Sequence, residues 1–436
     1  MRARRLAGGS GHICAPHDSL CVLKGHPMRS YRFARNILLP LVLALAMASA
    51  GTAFADEHNL LPVVINNVKV PIGDLTINYP PPFDLGVCCS PNGVVANPAS
   101  NRIYSVEASG GGAFTPATGW SVSVIDGNVT NHTWNHIIKN IPISNEPNVG
   151  GQFLAANTKA NKIYASIALF SSADVPPPGY VVVIDGFTNK VIKKIEGFIS
   201  GLPEMAVNES TNKIYVSDAI PNLYVIDGNT DKIIKTIANG GGELAVSEKY
   251  NKVFLANYDA GTVSVVDGAT DTLITSSIQL SNCPVTSGYS SCTPIQTAVN
   301  DRTGKVYVVR EGDGKVSVLD VKTYSEIATI SYTAQGQGGY GIDIDTEANL
   351  IYIANQDVAG IAVVDGDTNK YIGTVPVGLP PLNEGQVGAE YQPLMLSVDS
   401  RNHRLYVATG QSGAVAVLKT FGQDRHPWNE SNVAAP

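Results

Sequence analysis

Charged side chains are scarce in this chain: lysine, arginine, aspartate and glutamate together make up only 15% of its 436 residues. That composition disfavours a disordered chain, and the absence of sustained 3.6-residue periodicity disfavours a coiled coil. Cysteine and tryptophan are also rare, with six and three residues. Glycine and proline are plentiful, at 42 and 26 residues, so the composition indicates a turn-rich globular protein.

The familiar catalytic and cofactor-binding motifs are absent as well. The sequence contains no G-x-S-x-G, H-E-x-x-H, C-x-x-C or C-x-x-C-H. Serine hydrolase, zincin, thioredoxin-like and c-type haem interpretations therefore have no support. His132 and His136 form an H-x-x-x-H, but it falls in a predicted turn, and we interpret both as surface residues.

One long apolar run occurs, at residues 37–50, and it follows a basic stretch at 29–36. Ala53 and Ala55 then form an A-x-A cleavage site, so 28–55 is predicted to be a secretory signal peptide cleaved after Ala55. The run is too short to span a membrane. Signal peptides start with their basic region, which favours Met28 as the true start and makes 1–27 an extension outside the protein. We expect the mature chain to be periplasmic, secreted or at the cell surface.

Removal of residues 1–55 would take away seven lysines and arginines and one acid, leaving 23 basic and 36 acidic side chains, a net charge of −13. Sequence-independent nucleic-acid binding depends on neutralising phosphates, and no Lys/Arg cluster stands out in the mature sequence. We therefore expect no nucleic-acid partner, no membrane span after signal removal, and a monomer.

The octapeptide TNKIYVSD (211–218) recurs in related forms along the chain. Aligned on its aromatic residue, the repeat has seven copies, at Tyr104, Tyr164, Tyr215, Phe254, Tyr307, Tyr352 and Tyr406. Three residues before each aromatic lies a type that tolerates positive φ: Asn101, Asn161, Asn212, Asn251, Gly304, Asn349 and His403. Seven residues before each aromatic lies a residue that starts turns: Asn97, Asn157, Asn208, Ser247, Asn300, Asp345 and Asp399. The pattern predicts one turn built seven times, so His403 is interpreted as a turn residue rather than a ligand.

A second apolar run follows each aromatic and ends at Asp126, Asp185, Asp227, Asp267, Asp320, Asp365 or Lys419. Most of these aspartates begin an Asp-Gly hairpin turn. Each copy then reads as four strands, which in the third copy are EMAVN, KIYVS, LYVID and KIIKTI. Seven such units predict an all-β, seven-bladed β-propeller, because one four-stranded blade cannot bury both of its faces alone.

The seventh copy has no fourth strand after GAVAVLK (413–419). The N-terminal segment PVVINNVKVPI (62–72) has no blade of its own, and we predict that it supplies the missing outer strand and closes the ring. The predicted organisation is an extension (1–27), a signal peptide (28–55), an N-terminal segment with the closure strand (56–93), the propeller (94–421) and a tail (422–436).

The run NKIYVSD…LYVIDGNTDKIIKTI resembles the YVTN-repeat β-propellers, a family within the WD40/YVTN repeat-like superfamily, over about residues 90–421. The resemblance implies a seven-bladed ring outside the cytoplasm. It carries little information about function, because propellers host many activities. Periplasmic binding proteins occur in the family, and seven-bladed lactonases look similar at this level.

Long insertions interrupt the repeats only where the second strand meets the third or one blade meets the next. They are 107–120, 168–180, 281–294, 379–393 and 79–93. In a propeller both kinds of connection emerge on the same face, and we call it the decorated face. Loops that vary on a rigid scaffold commonly carry binding or catalysis, so we predict that this face is the functional one.

Four positions before each turn-starting residue, the innermost strand begins at the channel mouth. The residues there are Gly93, Phe153, Glu204, Glu243, Gln296, Gly341 and Met395. Glu204, Glu243 and Gln296 are in consecutive blades and would lie close together, with Tyr340 on the same face. They are candidates for holding Ca²⁺ or another divalent cation, for an acid/base pair, or for a solvated channel with no ligand. The neighbouring loops add Glu146, Glu384 and Glu390.

Four cysteines remain after signal removal. Cys283 and Cys292 lie in one insertion of an exported chain, and we predict a disulfide between them. Cys88 and Cys89 are adjacent, which leaves open a vicinal disulfide, metal-binding thiolates or a cross-pair to the 283/292 loop.

Two functions fit the sequence. The first is a non-catalytic exported propeller that binds a protein, peptide or glycan on its decorated face, favoured by the absence of a recognised nucleophile–base set. The alternative is a metal-dependent, lactonase-like hydrolase with Glu204 and Glu243 as ligands or bases.

Overall fold

A computed structural model of the chain describes residues 64–65, 68–69, 76–78, 88–111, 119–146, 149–169, 178–199, 201, 204–218, 222–238, 240, 242–286, 288–332, 338–356, 359–377, 393–409 and 415–420. All of them lie in Leu60–Pro436, the second of the two units into which contacts divide the chain. The predictions for 1–27, the signal peptide at 28–55 and the tail at 422–436 lie outside the described residues.

Seven four-stranded antiparallel sheets form the blades of a β-propeller, as the repeats predicted. The innermost strands are β4 (Cys88–Asn97), β8 (Val149–Asn157), β12 (Glu204–Asn208), β16 (Glu243–Ser247), β22 (Pro294–Asn300), β26 (Gly339–Asp345) and β30 (Leu396–Asp399). Each of them contacts the innermost strand of the next blade, and β30 contacts β4, so the ring is closed.

The other strands follow outwards in the order predicted. The second strands are β5 (Arg102–Gly111), β9 (Lys162–Leu169), β13 (Lys213–Ser217), β17 (Lys252–Asn257), β23 (Lys305–Arg310), β27 (Leu350–Asn355) and β31 (Arg404–Ala408). The third strands are β6 (Gly119–Asp126), β10 (Tyr180–Asp185), β14 (Asn222–Asp227), β18 (Thr262–Asp267), β24 (Lys315–Asp320), β28 (Gly360–Asp365) and β32 (Val415–Lys419). The outermost strands of blades 1 to 6 are β7 (Ile137–Ser144), β11 (Lys190–Ile195), β15 (Lys232–Ala238), β19 (Thr272–Gln279), β25 (Glu326–Ser331) and β29 (Lys370–Pro376).

An N-terminal strand completes blade 7, as expected, but it is not the one predicted. The outer strand is β3 (Thr76–Asn78), which pairs with β32. The predicted segment 62–72 instead contains β1 (Val64–Ile65) and β2 (Val68–Lys69), which pair with each other. Asn66 and Asn67 separate these two strands, and asparagine favours tight hairpin turns, so pairing within the segment is local and easily formed.

The seven turns between the first and second strands have the predicted backbone. All seven residues chosen for positive φ adopt it, with values from 49° to 69°. In four junctions the turn-starting asparagine of one blade donates its amide to the positive-φ asparagine of the next: Asn97 to Asn161, Asn157 to Asn212, Asn208 to Asn251 and Asn300 to Asn349. The repeated asparagines therefore link neighbouring blades as well as shaping the turns.

The lysine and tyrosine of the NKIY motif also reach the next blade. Lys162 Nζ binds both carboxylate oxygens of Asp231 at 2.9 and 2.8 Å, and the Tyr164 hydroxyl donates to the same carboxylate at 3.2 Å. Lys213 bonds to Asp271 in the same way. These contacts between blades explain why the octapeptide keeps its polar positions, a role that the sequence interpretation missed.

The junction between blades 4 and 5 lacks this set of polar contacts. Ser247 and Gly304 replace the two asparagines, and the Ser247 hydroxyl bonds to Asp301 instead. Phe254 replaces the tyrosine and packs edge-on against Tyr324, with ring centroids 6.1 Å apart. The substitutions match one another across the junction: glycine has no side-chain amide oxygen to accept a hydrogen bond from an asparagine, and phenylalanine has no hydroxyl to donate.

The hydrophobic core is divided among the seven junctions, with one cluster of buried side chains between each pair of neighbouring blades. The repeat aromatics lie in it: six are completely buried and Tyr352 is 7% exposed. Among the described residues no helix is long and apolar enough to cross a membrane.

Candidate functional site

The decorated face follows from the strand order. Because each strand runs antiparallel to its neighbour, second-to-third connections and blade-to-blade connections leave the same side of the ring. A bridge between Pro178 and Gly201 joins one connection of each kind. The insertion at 107–120 is partly strand, since β5 continues to Gly111 and β6 starts at Gly119. Most of 379–393, with Glu384 and Glu390, lies outside the described residues.

The 281–294 insertion is a compact loop held by a disulfide. Cys283 and Cys292 are bonded, with their Cα atoms 5.1 Å apart, which confirms the prediction. Between them, β20 (Val285–Thr286) pairs with β21 (Tyr289–Ser290). The loop rests on the neighbouring turn at Gly261, where a Cβ atom would lie 2.6 Å from the Cys283 sulfur.

The side chain of Arg310 holds the same loop in place through hydrogen bonds, a role that the sequence did not reveal. Its guanidinium is fully buried and donates to the carbonyls of Ser281 and Asn282 and to both carboxylate oxygens of Asp313. The backbone N–H of Glu311 donates to the carbonyl of Thr293 at the end of the loop. The loop is therefore attached to the segment that carries Glu311 beside the channel mouth.

Replacing both cysteines of this loop by serine should lower the free energy of unfolding by roughly 2–3 kcal/mol, the chain-entropy value for a short closed loop. Urea unfolding would measure the change, and amide hydrogen exchange should speed up between residues 281 and 294. Wild-type protein treated with a reductant should behave like the variant. A reduced protein less stable than the serine variant would reveal a second disulfide, which bears on Cys88 and Cys89.

The channel mouth brings together the three polar residues predicted for it. Gln296 Nε2 donates to Oε1 of Glu204 at 2.8 Å, although these residues belong to blades 5 and 3. The mouth is therefore narrow enough for side chains of non-neighbouring blades to touch past Glu243 of blade 4. Glu204 and Gln296 are each 6% exposed, and Glu243 is half-buried.

Burial shifts the carboxyl groups of the mouth toward their neutral forms. Burial raises the pKa of Glu204 well above its usual value, although hydrogen bonds from Gln296 and the Leu244 backbone oppose the shift. Burial also raises the pKa of Glu243, and the negative charges of Glu204 and Glu311 add to it. Oε2 of Glu204 and Oε2 of Glu243 are both buried without a hydrogen-bond partner.

The other half of the mouth is apolar. Phe153 is 8% exposed and lies in the core cluster between blades 2 and 3. Met395 of blade 7 packs against this cluster from across the ring. Gly93 and Gly341 add no side chains. Tyr340 borders the acidic half: burial raises its pKa, and the charges of Glu243, Glu204 and Glu311 raise it further.

Asp343 is a channel acid that the alignment did not select. It lies two positions further along its strand than the mouth residues and accepts the backbone N–H of Val398 in blade 7 at 2.8 Å. Burial raises its pKa to about 6, against the effect of its backbone hydrogen bonds. Asp343 ties together the innermost strands of blades 6 and 7, so we assign it a structural role.

Several other predicted positions receive simple explanations. Glu146 lies 3.4 Å from Lys194 and so adds little negative charge to the face. Cys88 and Cys89 begin β4, but their side chains lie outside the described part of the structure. Within the described residues, no group of three or more His, Cys, Asp or Glu side chains is arranged to hold a metal ion.

The raised pKa values make a prediction about stability. An acid whose pKa is raised by folding stabilises the folded protein when the pH is below the pKa of the unfolded chain, about 4.3 for glutamate. This stabilisation is lost as the pH rises through the pKa of the folded protein. Changing Glu204 and Glu243 to glutamine should therefore stabilise the protein at pH 8, by about 1.4 kcal/mol per unit of raised pKa. Thermal unfolding from pH 5 to 8 should show the variant's advantage growing with pH. An advantage for the wild type at pH 8 would contradict the prediction.

Comparisons with known proteins support the fold alone. No protein-family model matches the chain, and no curated protein matches it. Among solved structures, the chain is similar to Kuenenia stuttgartiensis Hydrazine Synthase, with a TM-score of 0.55 and 13% identity over 79% of this chain and 99% of that chain. At that identity the likeness shows a shared propeller architecture, and the YVTN resemblance rests on the repeat motif.

Proposed function

We propose that this chain is an exported binding protein that takes a protein, peptide or glycan ligand on its decorated face. The observation that carries the proposal is the 281–294 loop. Its disulfide and Arg310 hold it in place, while Val285 and Tyr289 remain 51% and 41% exposed. Exposed apolar side chains on a rigid support lose little conformational entropy when a ligand binds them.

Neighbouring connections extend this surface. Tyr258, in the turn between the second and third strands of blade 4, is 37% exposed, and its carbonyl accepts the Ser290 hydroxyl of the loop. Ile199, between blades 2 and 3, is 58% exposed. Most connections on the opposite face are short turns, such as the one that Asp227 closes by accepting the backbone N–H of Asn229, and the longest described there joins β6 to β7. Apolar contacts around an acidic centre suit a binding surface better than those turns do.

The proposal of export draws on two separate features. One is the sequence at 28–55, with its basic, apolar and A-x-A segments. The other is the Cys283–Cys292 disulfide, since structural disulfides persist in oxidising compartments.

Site-specific photo-crosslinking in cells of the natural host would test the binding face. Tyr289 and, as a control on the opposite face, the 80% exposed Phe187 are replaced in turn by a photoreactive phenylalanine analogue. A protein or peptide ligand should give a discrete adduct at position 289 and none at 187. For a glycan, a microarray should show binding that the Tyr289→Ser variant loses. Adducts at 187 alone, or no adduct and no Tyr289-dependent glycan, would overturn the proposal.

The alternative function, a metal-dependent lactonase-like hydrolase, has one observation in its favour. Glu204 and Glu243 are adjacent carboxyl groups with raised pKa values, which fits an acid/base pair. Any divalent cation such as Ca²⁺ would depend on these two carboxylates, Gln296 and water. Elemental analysis of residues 56–436 with a lactone and ester panel tests this reading. It requires stoichiometric metal and turnover that Glu204→Gln and Glu243→Gln both abolish.

A further inference from the structure

The channel mouth contains buried acceptors that the described protein groups leave unmatched. Glu204 is 6% exposed, and its Oε2 has no hydrogen-bond partner, although its Oε1 accepts from Gln296. Oε2 of Glu243 is unmatched in the same way. A buried oxygen without a donor costs free energy, so two of them in neighbouring blades point to a donor that comes from outside the chain.

The charges around these oxygens favour a positively charged donor. The negative charges of Glu204 and Glu311 raise the pKa of Glu243, and the charges of Glu204, Glu243 and Glu311 together raise the pKa of Tyr340. Tyr258 at the rim lies near Glu311, Asp259 and Glu243. The groups whose charges act on these three residues within the described structure are all acids. A cationic donor would satisfy the unmatched oxygens and relieve the repulsion between the carboxylates.

The apolar half of the mouth favours a cation that is carried on a hydrocarbon chain. Met395 packs against the core cluster that contains Phe153, and in ring order the blades of these two residues lie opposite those of the carboxylates. A ligand that enters the mouth therefore contacts hydrocarbon on one side and carboxylate on the other. A lysine side chain has this division, with a flexible four-carbon stem and a compact ammonium group that carries three donors.

We propose that the channel mouth binds a primary alkylammonium group, such as the side chain of a lysine in a peptide ligand, with Glu204 and Glu243 accepting its hydrogen bonds and Phe153 and Met395 contacting its stem. This inference rests on the proposed binding function and adds the chemistry of the ligand. A planar guanidinium is wider, and the Glu204–Gln296 contact leaves it less room than an ammonium.

The geometry favours an ammonium over a metal ion. Ca²⁺ takes six to eight oxygen ligands. Here Gln296 directs its N–H group at Glu204 and so occupies one carboxylate oxygen with a donor. Two carboxylates remain, and among the residues that the structure describes no third acid joins them in a metal-binding arrangement. An ammonium needs only about three acceptors, which two carboxylates can provide.

Isothermal titration calorimetry of residues 56–436 tests the proposal with the capped peptide acetyl-Gly-Gly-Lys-Gly-Gly-amide. Its comparators are the Nε-acetyl-lysine and arginine versions, n-butylamine and CaCl₂. We expect the lysine peptide to bind at least tenfold more tightly than the acetylated one. Glu204→Gln and Glu243→Gln should each weaken it at least tenfold. Glu347→Gln, an exposed acid on the opposite face, should leave binding unchanged.

The outcomes separate the possibilities. Equal binding of lysine and acetyl-lysine peptides, or no binding of either, overturns the ammonium site. Stoichiometric Ca²⁺ binding that both glutamine variants lose overturns it in favour of a metal. Butylamine binding as tightly as the peptide would keep the chemistry but assign it to a free amine. A ligand crosslinked at position 289 whose affinity ignores both glutamine variants would overturn this inference and leave the proposed function intact.

Protonation supplies a second readout that a structural role would not produce. An ammonium binds the ionised carboxylates, whereas burial and mutual repulsion hold Glu204 and Glu243 toward their neutral forms. Affinity should therefore rise with pH, and binding should release protons. Titrations at one pH in two buffers of different ionisation enthalpy measure that release. Binding that takes up protons, or is weaker at pH 8 than at pH 5, would overturn the proposal.

Discussion

Replacing Asp231 by alanine should lower the free energy of unfolding by about 3–5 kcal/mol, the cost of breaking a buried ion pair from one side. The side chains of Lys162 and Asp231 are 19% and 8% exposed, so water does little to replace the contact. The change would also remove the acceptor of the Tyr164 hydroxyl. Urea unfolding of the variant and the wild type at pH 7 measures the difference.

The chain itself supplies the control for this experiment. In blade 6 the equivalent position is Asn369, whose side-chain oxygen accepts from Lys305 Nζ at 2.9 Å. Asp231→Asn should therefore cost only about 1 kcal/mol, the net value of a hydrogen bond. Asp231 has a φ of 51°, so Asp231→Gly separates the lost ion pair from backbone strain. A loss below 1 kcal/mol in both the alanine and the glycine variants would show that the pair contributes little.

Replacing Arg310 by alanine should have a comparable effect, again about 3–5 kcal/mol, because it leaves two loop carbonyls without their buried donor and Asp313 with only Lys315 as its cationic partner. Arg310→Lys should lower the free energy of unfolding by less than Arg310→Ala does, because an ammonium keeps the charge but cannot reach all of these acceptors at once. Amide hydrogen exchange in residues 281–294 should speed up in both variants, although the Cys283–Cys292 disulfide still closes the loop.

Arg302 provides the matched control for Arg310. It is an exposed arginine of the same blade, and its Nε donates to the carbonyl of Thr346. Arg302→Ala should change the free energy of unfolding by less than about 0.5 kcal/mol, as surface substitutions usually do. If both arginine variants unfold alike, burial of Arg310 does not give it the importance that we assign to it.

The fold was readable from the sequence because each blade repeats its local signals. The positive-φ positions, the aspartates that end the third strands and the buried aromatics recur at matching offsets, so each copy supports the assignment of the others. The closure strand has no such copies. Thr76–Asn78 is three residues long and pairs with β32, more than 300 residues further along the chain, so only tertiary structure distinguishes it from the strands Val64–Ile65 and Val68–Lys69.

The candidate site was only partly predictable. Position in the repeat placed Glu204, Glu243 and Gln296 at the mouth, but it could not show that Gln296 reaches past Glu243 to Glu204. Arg310 was missed because its partners come from a loop outside the repeat, where spacing carries no information. The sequence did contain a signal for the contacts between blades. Ser247 and Gly304 occupy the two positions at which four other junctions pair two asparagines, and this matched change is visible in the sequence alone.

The three-residue strand β3, which completes blade 7, also determines when the ring can close during synthesis of the chain. Thr76 is synthesised early but finds its partner, Val417, only near the end of the chain. Until then the ring is an open arc, with the last-made blade incomplete and one face of the first blade uncovered. Ring closure is thus a late, long-range step that nothing local can hasten. A chain interrupted before Val415 contains β3 but lacks β32, the strand with which β3 pairs.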